Sequence, residues 1–269
     1  MNPTIGASVT FIGNATTLLR LGEFTLLTDP NFVPAGSRVH LNYGAFTRRL
    51  IGPAFGIDSL PQLDALLLSH LHGDHFDGVA RDRLPHDVAI ITTPQATRRL
   101  RRWDFTDVHG LSTWRTHTRQ RGGQVLRVTA VPGRHGPGLV DRLLPDVMGS
   151  IVELETEGTS RLRLYITGDT LMRPVLSEIP QRYGDIDAMI IHLGGTRLAG
   201  LLLTMDGRQG AELTNLIKPT MAIPVHYDDY SVFTSPLTDF ISRARDSGVT
   251  TVHPIARGDT LQLPDRAGG

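Results

Sequence analysis

The run His70-Leu71-His72-Gly73-Asp74-His75 sets three imidazoles and a carboxylate within six residues. It follows directly on the apolar run Leu63-Asp64-Ala65-Leu66-Leu67-Leu68-Ser69. Imidazole and carboxylate are the ligands that suit zinc, iron, nickel and manganese. Burying four such groups side by side is costly unless something uses them, and a metal ion is the obvious user. Residues two apart in an extended chain point the same way, so His70 and His72 can both reach one ion. Gly73 permits a sharp turn, after which Asp74 and His75 can turn back toward a second ion. In H-E-x-x-H, by contrast, the ligands sit one helical turn apart. Reading these residues as loose surface histidines would require a large coincidence.

Six residues cannot complete one site, let alone two. The remaining ligands should come from other strand ends, where loops carrying chemistry sit in layered folds. His135 follows Val131-Pro132-Gly133-Arg134, Asp169 follows Leu164-Tyr165-Ile166-Thr167-Gly168, and His226 follows Ala222-Ile223-Pro224-Val225. Each is a candidate ligand, with a hydrogen-bonded loop residue as the plainer reading. Asp29, before Pro30 at a strand end, is placed to hydrogen-bond a ligand imidazole and fix its tautomer. His192 ends another apolar run, either near the substrate or as a satisfied core histidine. Tyr227 and Asp228 adjoin His226. His40, His86, His109, His117 and His253 read as ordinary.

The elements that must position these residues are short apolar runs separated by Gly, Pro and Asp. Ser8–Ile12, Thr17–Leu21 and Phe24–Thr28 read as an antiparallel meander. Leu63–Leu68 and Val88–Thr92 read as strands, and Pro94–Arg102 as a helix with proline in its first turn. Gln124–Val131 is a strand, and Ser150–Glu155 with Leu162–Thr167 forms a hairpin about Gly158. Ala188–Leu193 and Met221–Val225 are buried strands. Asp206–Ile217 is a helix capped by Asp206, Pro236–Asp246 is another helix, and Thr251–Ile255 and Thr260–Leu263 are closing strands. Two loosely similar halves of mixed β and α favour packed sheets with helices outside. The irregular stretch 31–60 carries Val33, Val39, Leu41, Tyr43, Phe46, Leu50, Ile51 and Phe55, and reads as either packed down or a lid. No linker is visible, so 1–269 reads as a single domain.

Composition narrows the classes. With 269 residues, 40% hydrophobic and 20% charged, the chain is ordinary globular protein. Lys plus Arg equals Asp plus Glu at 27 each, which does not suggest strong attraction to nucleic acid or anionic membrane. One local bias, Arg98, Arg99, Arg101 and Arg102 before Trp103, reads as a solvated helix face or a patch for an anionic substrate or partner. There is no cysteine, so thiolate ligands, disulfides and a cysteine nucleophile are excluded. Residues 1–11 show no secretory pattern, and no apolar stretch reaches the roughly 20 residues of a spanning helix. The expectation is a soluble, cytoplasmic protein.

His70-x-His72-x-Asp74-His75, then His135, Asp169 within Thr167-Gly168-Asp169-Thr170, and His226 together resemble the metallo-β-lactamase superfamily, in order and across nearly the whole chain. The resemblance implies an α/β fold, an αββα sandwich of two mixed sheets with the metals at one edge. Carried over residue by residue, His70, His72 and His135 hold one metal, Asp74, His75 and His226 a second, and Asp169 bridges both. Leu27-Thr28-Asp29-Pro30, Leu60-Pro61-Gln62-Leu63-Asp64-Ala65 and Pro224-Val225-His226-Tyr227 resemble the branch that includes the L-ascorbate-6-phosphate lactonase and the N-acyl-phosphatidylethanolamine phospholipase D. Gly13-Asn14 stands where that branch usually has Gly-His, and asparagine cannot titrate or serve as a strong ligand. The histidine at 72 argues against the flavodiiron branch.

The expected activity is a metal-dependent hydrolase. Two divalent ions, zinc first with manganese, iron or nickel as alternatives, would share a water and lower its pKa toward neutrality. The resulting hydroxide would attack an ester-like bond: a phosphodiester, lactone or carboxylic ester of a small molecule. Asp74, Asp29 and His192 are the candidate catalytic residues, with Asp74 able to accept a proton from the water. Tyr227 and Asn14 are the candidate substrate contacts. The stretch 198–203 and the 31–60 loop are candidate apolar walls. A nuclease and a non-catalytic metal-binding module are the competing readings.

Overall fold

The computed structural model describes residues 6–41, 46–138, 144–198 and 200–266. Its strands are β1 (Ala7–Gly13), β2 (Thr16–Leu21), β3 (Phe24–Thr28), β4 (Arg38–His40), β5 (Phe46–Arg48), β6 (Ala65–Leu67), β7 (Ile90–Thr92), β8 (Val108–Gly110), β9 (Thr116–Arg121), β10 (Gln124–Pro132), β11 (Met148–Thr156), β12 (Thr159–Ile166), β13 (Ala188–His192), β14 (Arg197–Leu198), β15 (Leu201–Leu202), β16 (Met221–Val225) and β17 (Thr260–Gln262). The helices are α1 (Gly78–Arg83), α2 (Pro94–Arg101), α3 (Glu178–Tyr183), α4 (Gly207–Ile217) and α5 (Leu237–Asp246). One sheet runs β17-β1-β2-β3-β6-β7-β8 and the other β16-β13-β12-β11-β10-β9, while β4-β5 and β14-β15 form two small ribbons. Each large sheet joins an antiparallel meander to parallel strands, as the loose repetition in the sequence suggested.

The two sheets pack face to face. Val9, Phe11, Leu19, Leu26 and Leu67 of one meet Leu126, Val128, Val152, Leu164 and Ile190 of the other. Side chains alternate across a strand, so the intervening residues Leu18, Leu27 and Leu66 point outward to Ala80, Ala96 and Leu100 of α1 and α2. On the far side Tyr165, Met189 and Ile191 pack on Ile179, Ala211, Leu213 and Phe240 of α3, α4 and α5. The result is an αββα sandwich. Burial on both faces explains why the strand before the histidine cluster is continuously apolar rather than alternating.

Local signals set several boundaries. Thr93 caps α2 through Ala96 N, with proline in the first turn. Asp206 caps α4 by accepting from Gln209 N at 3.0 Å. Strand β9, at an edge of its sheet, escapes the sequence pattern, as does β8 at the edge of the other. β9, Thr-His-Thr-Arg-Gln-Arg, has no apolar alternation, as suits an exposed sheet edge defended by charge. The expected strand at 251–255 reduces to a single parallel bridge, Val252 to Ala222, because Pro254 has no N–H to extend a ladder.

The 31–60 segment is largely tied down where it is described. Phe32, Val39, Thr47, Arg49 and Ile57 are buried, while Phe46 and Leu50 are exposed. Residues 42–45, including Tyr43, lie outside the described residues, as does Ala199 in the 198–203 stretch. No described helix is long and apolar enough to cross a membrane.

Candidate metal centre

The chain brings its chemistry to one edge of the sandwich, at the ends of β3 (Asp29), β6 (Ser69 to His75), β10 (His135), β12 (Asp169), β13 (His192) and β16 (His226). After β6 the chain turns so that His75 N and Phe76 N both donate to His72 O, at 3.1 and 2.9 Å. Gly73 is needed here for space rather than for a left-handed turn. A Cβ on it would lie 2.7 Å from His40 O and 2.8 Å from Val39 Cγ1, because β4 crosses directly over the loop. Gly168, before Asp169, needs both, with φ of 60° and Met148 O only 2.7 Å from a would-be Cβ.

Two groups of ligand atoms result. His70 Nε2 lies 2.8 Å from His72 Nδ1 and 3.2 Å from His135 Nε2. His75 Nε2 lies 3.2 Å from His226 Nε2, and Asp74 Oδ2 lies 3.3 Å from that same His226 nitrogen. Asp169 Oδ2 stands between the groups, 3.1 Å from His75, 3.7 Å from His226, 3.5 Å from His135 and 3.9 Å from His70. A tetrahedral ion with ~2.1 Å bonds holds its ligand atoms about 3.4 Å apart, so these spacings fit such an ion in each group.

The backing hydrogen bonds fit as well. His75 Nδ1 donates to Asp29 Oδ2 at 3.0 Å, His135 Nδ1 to Leu203 O at 3.2 Å and His226 Nδ1 to Leu193 O at 3.2 Å. Each of these bonds places the ring proton on Nδ1 and turns the Nε2 lone pair inward, the tautomer a metal needs. Asp169 Oδ1, Asp74 Oδ1 and His72 Nε2 are buried with no protein partner.

Electrostatics separates the two groups. Burial holds His70 well below the usual imidazole range, takes His72 to about 3 and lowers His135. Three neutral imidazoles are the form that binds a cation. Burial also pulls on His75 and His226, but the Asp169 and Asp74 carboxylates outweigh it and hold both rings above their usual value. Burial in turn would raise the carboxylates, yet the facing histidines hold Asp169 well below its usual range and take Asp74 to about 2. The carboxylates therefore gather positive charge, which protons supply on the histidines and a divalent ion would supply in their place.

Asp29 lies behind the ligands. Its carboxylate accepts from Ser69 N at 2.7 Å and Ser69 Oγ at 2.8 Å besides His75, and His192 Nε2 stands 3.5 Å away. Asp29, His75 and His192 also form a compact acid–base group. Because His75 Nδ1 carries the proton there, the group is a hydrogen-bonded support rather than a third cation site. His192 is wholly buried, lies parallel to the His75 ring and meets Thr167 Oγ1 at 3.3 Å. Ser69 escaped sequence reasoning, although its place between an apolar strand and His70 was a signal. Its hydroxyl also lies 2.9 Å from His70 Nδ1. Asp29→Asn should lower metal affinity by about 10–100-fold, since an amide supports the wrong tautomer of His75. Titration against a chelating dye reads this, and an unchanged affinity would remove Asp29 from the site.

The structure does not bring Asn14 and Tyr227 to the front of the cluster. Asn14 is wholly buried, donates from Nδ2 to Asp74 O at 2.6 Å, and accepts from His226 N at 2.9 Å through its own carbonyl. It ties two candidate ligands together from behind. Tyr227 is half-buried against the inter-sheet core, 6.3 Å from the Phe11 ring. Asn14, Asp29 and His226 all adopt left-handed backbone, with φ of 51°, 35° and 61°. Such conformations cost about 1–3 kcal/mol each and persist where surrounding bonds over-determine them. Thr16 Oγ1, which donates to Asp29 O at 2.7 Å and accepts from Asn31 N at 3.0 Å, is one such bond-maker.

Comparison with known proteins adds four likenesses. Residues 25–227 match the family model described as a beta-lactamase superfamily domain. A UPF0173 metal-dependent hydrolase of Thermus thermophilus is 25% identical over 261 residues, covering 95% of this chain and 98% of the relative. Among solved structures, one described as a possible metal-dependent hydrolase from Veillonella parvula gives a TM-score of 0.80 at 21% identity, covering 96% of this chain and 100% of that one. An isothiocyanate hydrolase from Delia radicum gut bacteria gives 0.79 at 19% identity, covering 96% and 99%.

Proposed function

The chain belongs to the beta-lactamase superfamily and is a metal-dependent hydrolase; from that premise we propose that it cleaves an ester-like bond of a small molecule at a two-metal centre. The observation that carries this reading is the position of Asp169 Oδ2, within 3.9 Å of a nitrogen from His70, His135, His75 and His226 alike. On this reading His70, His72 and His135 would hold one ion and Asp74, His75 and His226 the other, with Asp169 available to both. Zinc suits the all-nitrogen and carboxylate set best, and manganese, iron and nickel accept the same ligands. Divalent ions bound there supply Lewis acidity and an activated water.

The protein's part is positional. Asp29, Leu203 O and Leu193 O fix the ring tautomers, and Asn14 locks Asp74 to the His226 backbone. Asp74 holds its carboxylate ionised, with Oδ1 unpartnered, so it can take a proton from attacking water. Burial of the ligands excludes bulk water and strengthens each of these interactions. Phosphodiesters, lactones and carboxylic esters all present the electrophilic centre this arrangement suits. Nucleic acid is a poorer fit, because backbone recognition needs an extended basic surface on a chain whose charges here balance.

The test is a turnover screen of metal-reconstituted protein against phosphodiesters, lactones, acyl esters and isothiocyanates, with Asp74→Ala in parallel. At least one ester-like class should be turned over, and the variant should lose at least about 100-fold in kcat. No turnover of any ester-like class by the metal-loaded protein, or equal turnover by the variant, would overturn the proposal.

A further inference from the structure

A cavity of about 270 Å³ shares a wall with the metal centre, and its lining includes the candidate ligand His72. Arg38 of the β4 ribbon, Arg81 of α1 and Arg99 of α2 also line it, with Trp103. Three arginines from separate elements thus line one small space in a chain whose formal net charge is zero. Trp103 organises two of them. The Arg99 guanidinium carbon lies 5.0 Å from its ring centroid and that of Arg81 lies 5.8 Å away. Stacking on indole holds a guanidinium in place while leaving its N–H edge available to an acceptor.

The nearby acids do not cancel this charge. Asp77 lines the cavity, but its carboxylate is committed to backbone N–H groups, Val33 at 2.6 Å and Ala80 at 2.8 Å among them. Asp82 accepts from Arg81 Nε at 2.6 Å and Nη2 at 3.2 Å, in a half-exposed pair between adjacent residues of the kind that contributes little, and Nη1 of Arg81 is left for the cavity. A second observation points to an acceptor. His72 lines the cavity and is buried, and its Nε2 has no protein partner; with Nδ1 turned to the metal, as the proposed function has it, Nε2 is the nitrogen that carries the proton.

From this geometry we infer that the cavity binds an oxyanion, a carboxylate or phosphate group, carried by the substrate close to its scissile bond. Arg38, Arg81 and Arg99 bind the anion. This rests on the hydrolase reading and narrows its substrate class to anionic esters. It also gives a place to Arg99, one of the arginine cluster that the metal chemistry leaves unused. A planar guanidinium fork matches carboxylate and phosphate oxygens in pairs.

The test has two arms, both on metal-loaded protein. The first compares 4-nitrophenyl hydrogen succinate, which is anionic, with neutral 4-nitrophenyl pentanoate. The Arg81→Gln/Arg99→Gln variant should raise KM for the anionic ester about 10–100-fold, leaving its kcat and all parameters of the neutral ester within twofold. The second arm needs no turnover. In a Trp114→Phe background, where Trp103 is the remaining tryptophan, inorganic phosphate should change the emission saturably, and the arginine variant should abolish the change.

Loss of both esters in parallel, or no charge preference in the parent, overturns the inference. So does a phosphate response that persists unchanged in the variant. If phosphate binds through the arginines while the esters show no charge preference, the cavity serves free anions and the substrate assignment fails. Failure to turn over either ester speaks against the hydrolase reading alone, because the emission arm still decides the cavity.

Discussion

Replacing Asp169 by alanine is expected to cost at least ~10³-fold in turnover and most of the bound metal. Its Oδ2 is the atom shared by the two ligand groups, and each group loses a vertex when it goes. The remaining His70, His72 and His135 are neutral by burial and can still hold an ion weakly. The His75, His226 and Asp74 group loses more, because Asp169 is the carboxylate that contributes most to holding both rings above their usual value. Elemental analysis of the purified variant should find well under the parent's metal content. Thermal unfolding gives an independent reading. A ligand that binds only the folded state stabilises by about 2.7 kcal/mol at a hundred times its Kd. A chelator should therefore lower the midpoint of the parent and leave that of the variant nearly unchanged. Asp169→Asn, which keeps the shape, guards against a folding defect. Full metal content in both variants would remove Asp169 from the centre.

The second large effect is on stability. Arg49→Met is expected to destabilise the fold by about 3–5 kcal/mol. Arg49 is wholly buried, yet its guanidinium donates to Ile51 O at 2.8 Å and to Asn31 O and Val33 O at 2.9 Å. It also faces the Asp229 carboxylate at 3.6 Å. Asp229 in turn accepts from Asn14 N at 2.8 Å and from Arg257 at 2.9 Å. One guanidinium thus ties the backbone at Asn31, Val33 and Ile51 to the turn that carries Asn14 and, through Asn14, to Asp74 and His226. Methionine fills the volume but leaves three carbonyls and part of a carboxylate unpaired in the interior. Denaturant unfolding should show a lower midpoint at unchanged slope, and the metal affinity should fall with it. Arg49→Lys keeps the charge without the planar fork and should recover only part of the loss. A change below about 1 kcal/mol in the methionine variant would show that the network is not structural.

The candidate ligands were legible in the sequence because the signals are local. His70, His72, Asp74 and His75 sit within six residues of one another, and His135, Asp169 and His226 each follow a run that reads as a strand. A strand end is legible because apolar residues stop and Gly or Pro begins, and the same punctuation exposed the hairpin at Gly158 and the Asp206 cap of α4. Strand β9 was hidden for the converse reason, since an exposed charged edge carries no apolar period.

What only the tertiary structure decided is which groups stand behind the ligands and which in front. Asp29 touches His75 across 46 residues of chain, Asn14 touches Asp74 across 60, and Asp229 touches Asn14 across 215. No spacing rule reaches so far, because these contacts are set by how two sheets pack rather than by the pitch of any one element. The sequence therefore determined the chemistry that gathers at the sheet edge. The fold alone turned Asn14 inward, committed the buried Arg49 to holding the loop, and set Arg38, Arg81 and Arg99 round one cavity beside His72. Those outcomes depend on the relative placement of separate elements, which sequence-local hydrophobicity and turn chemistry do not specify.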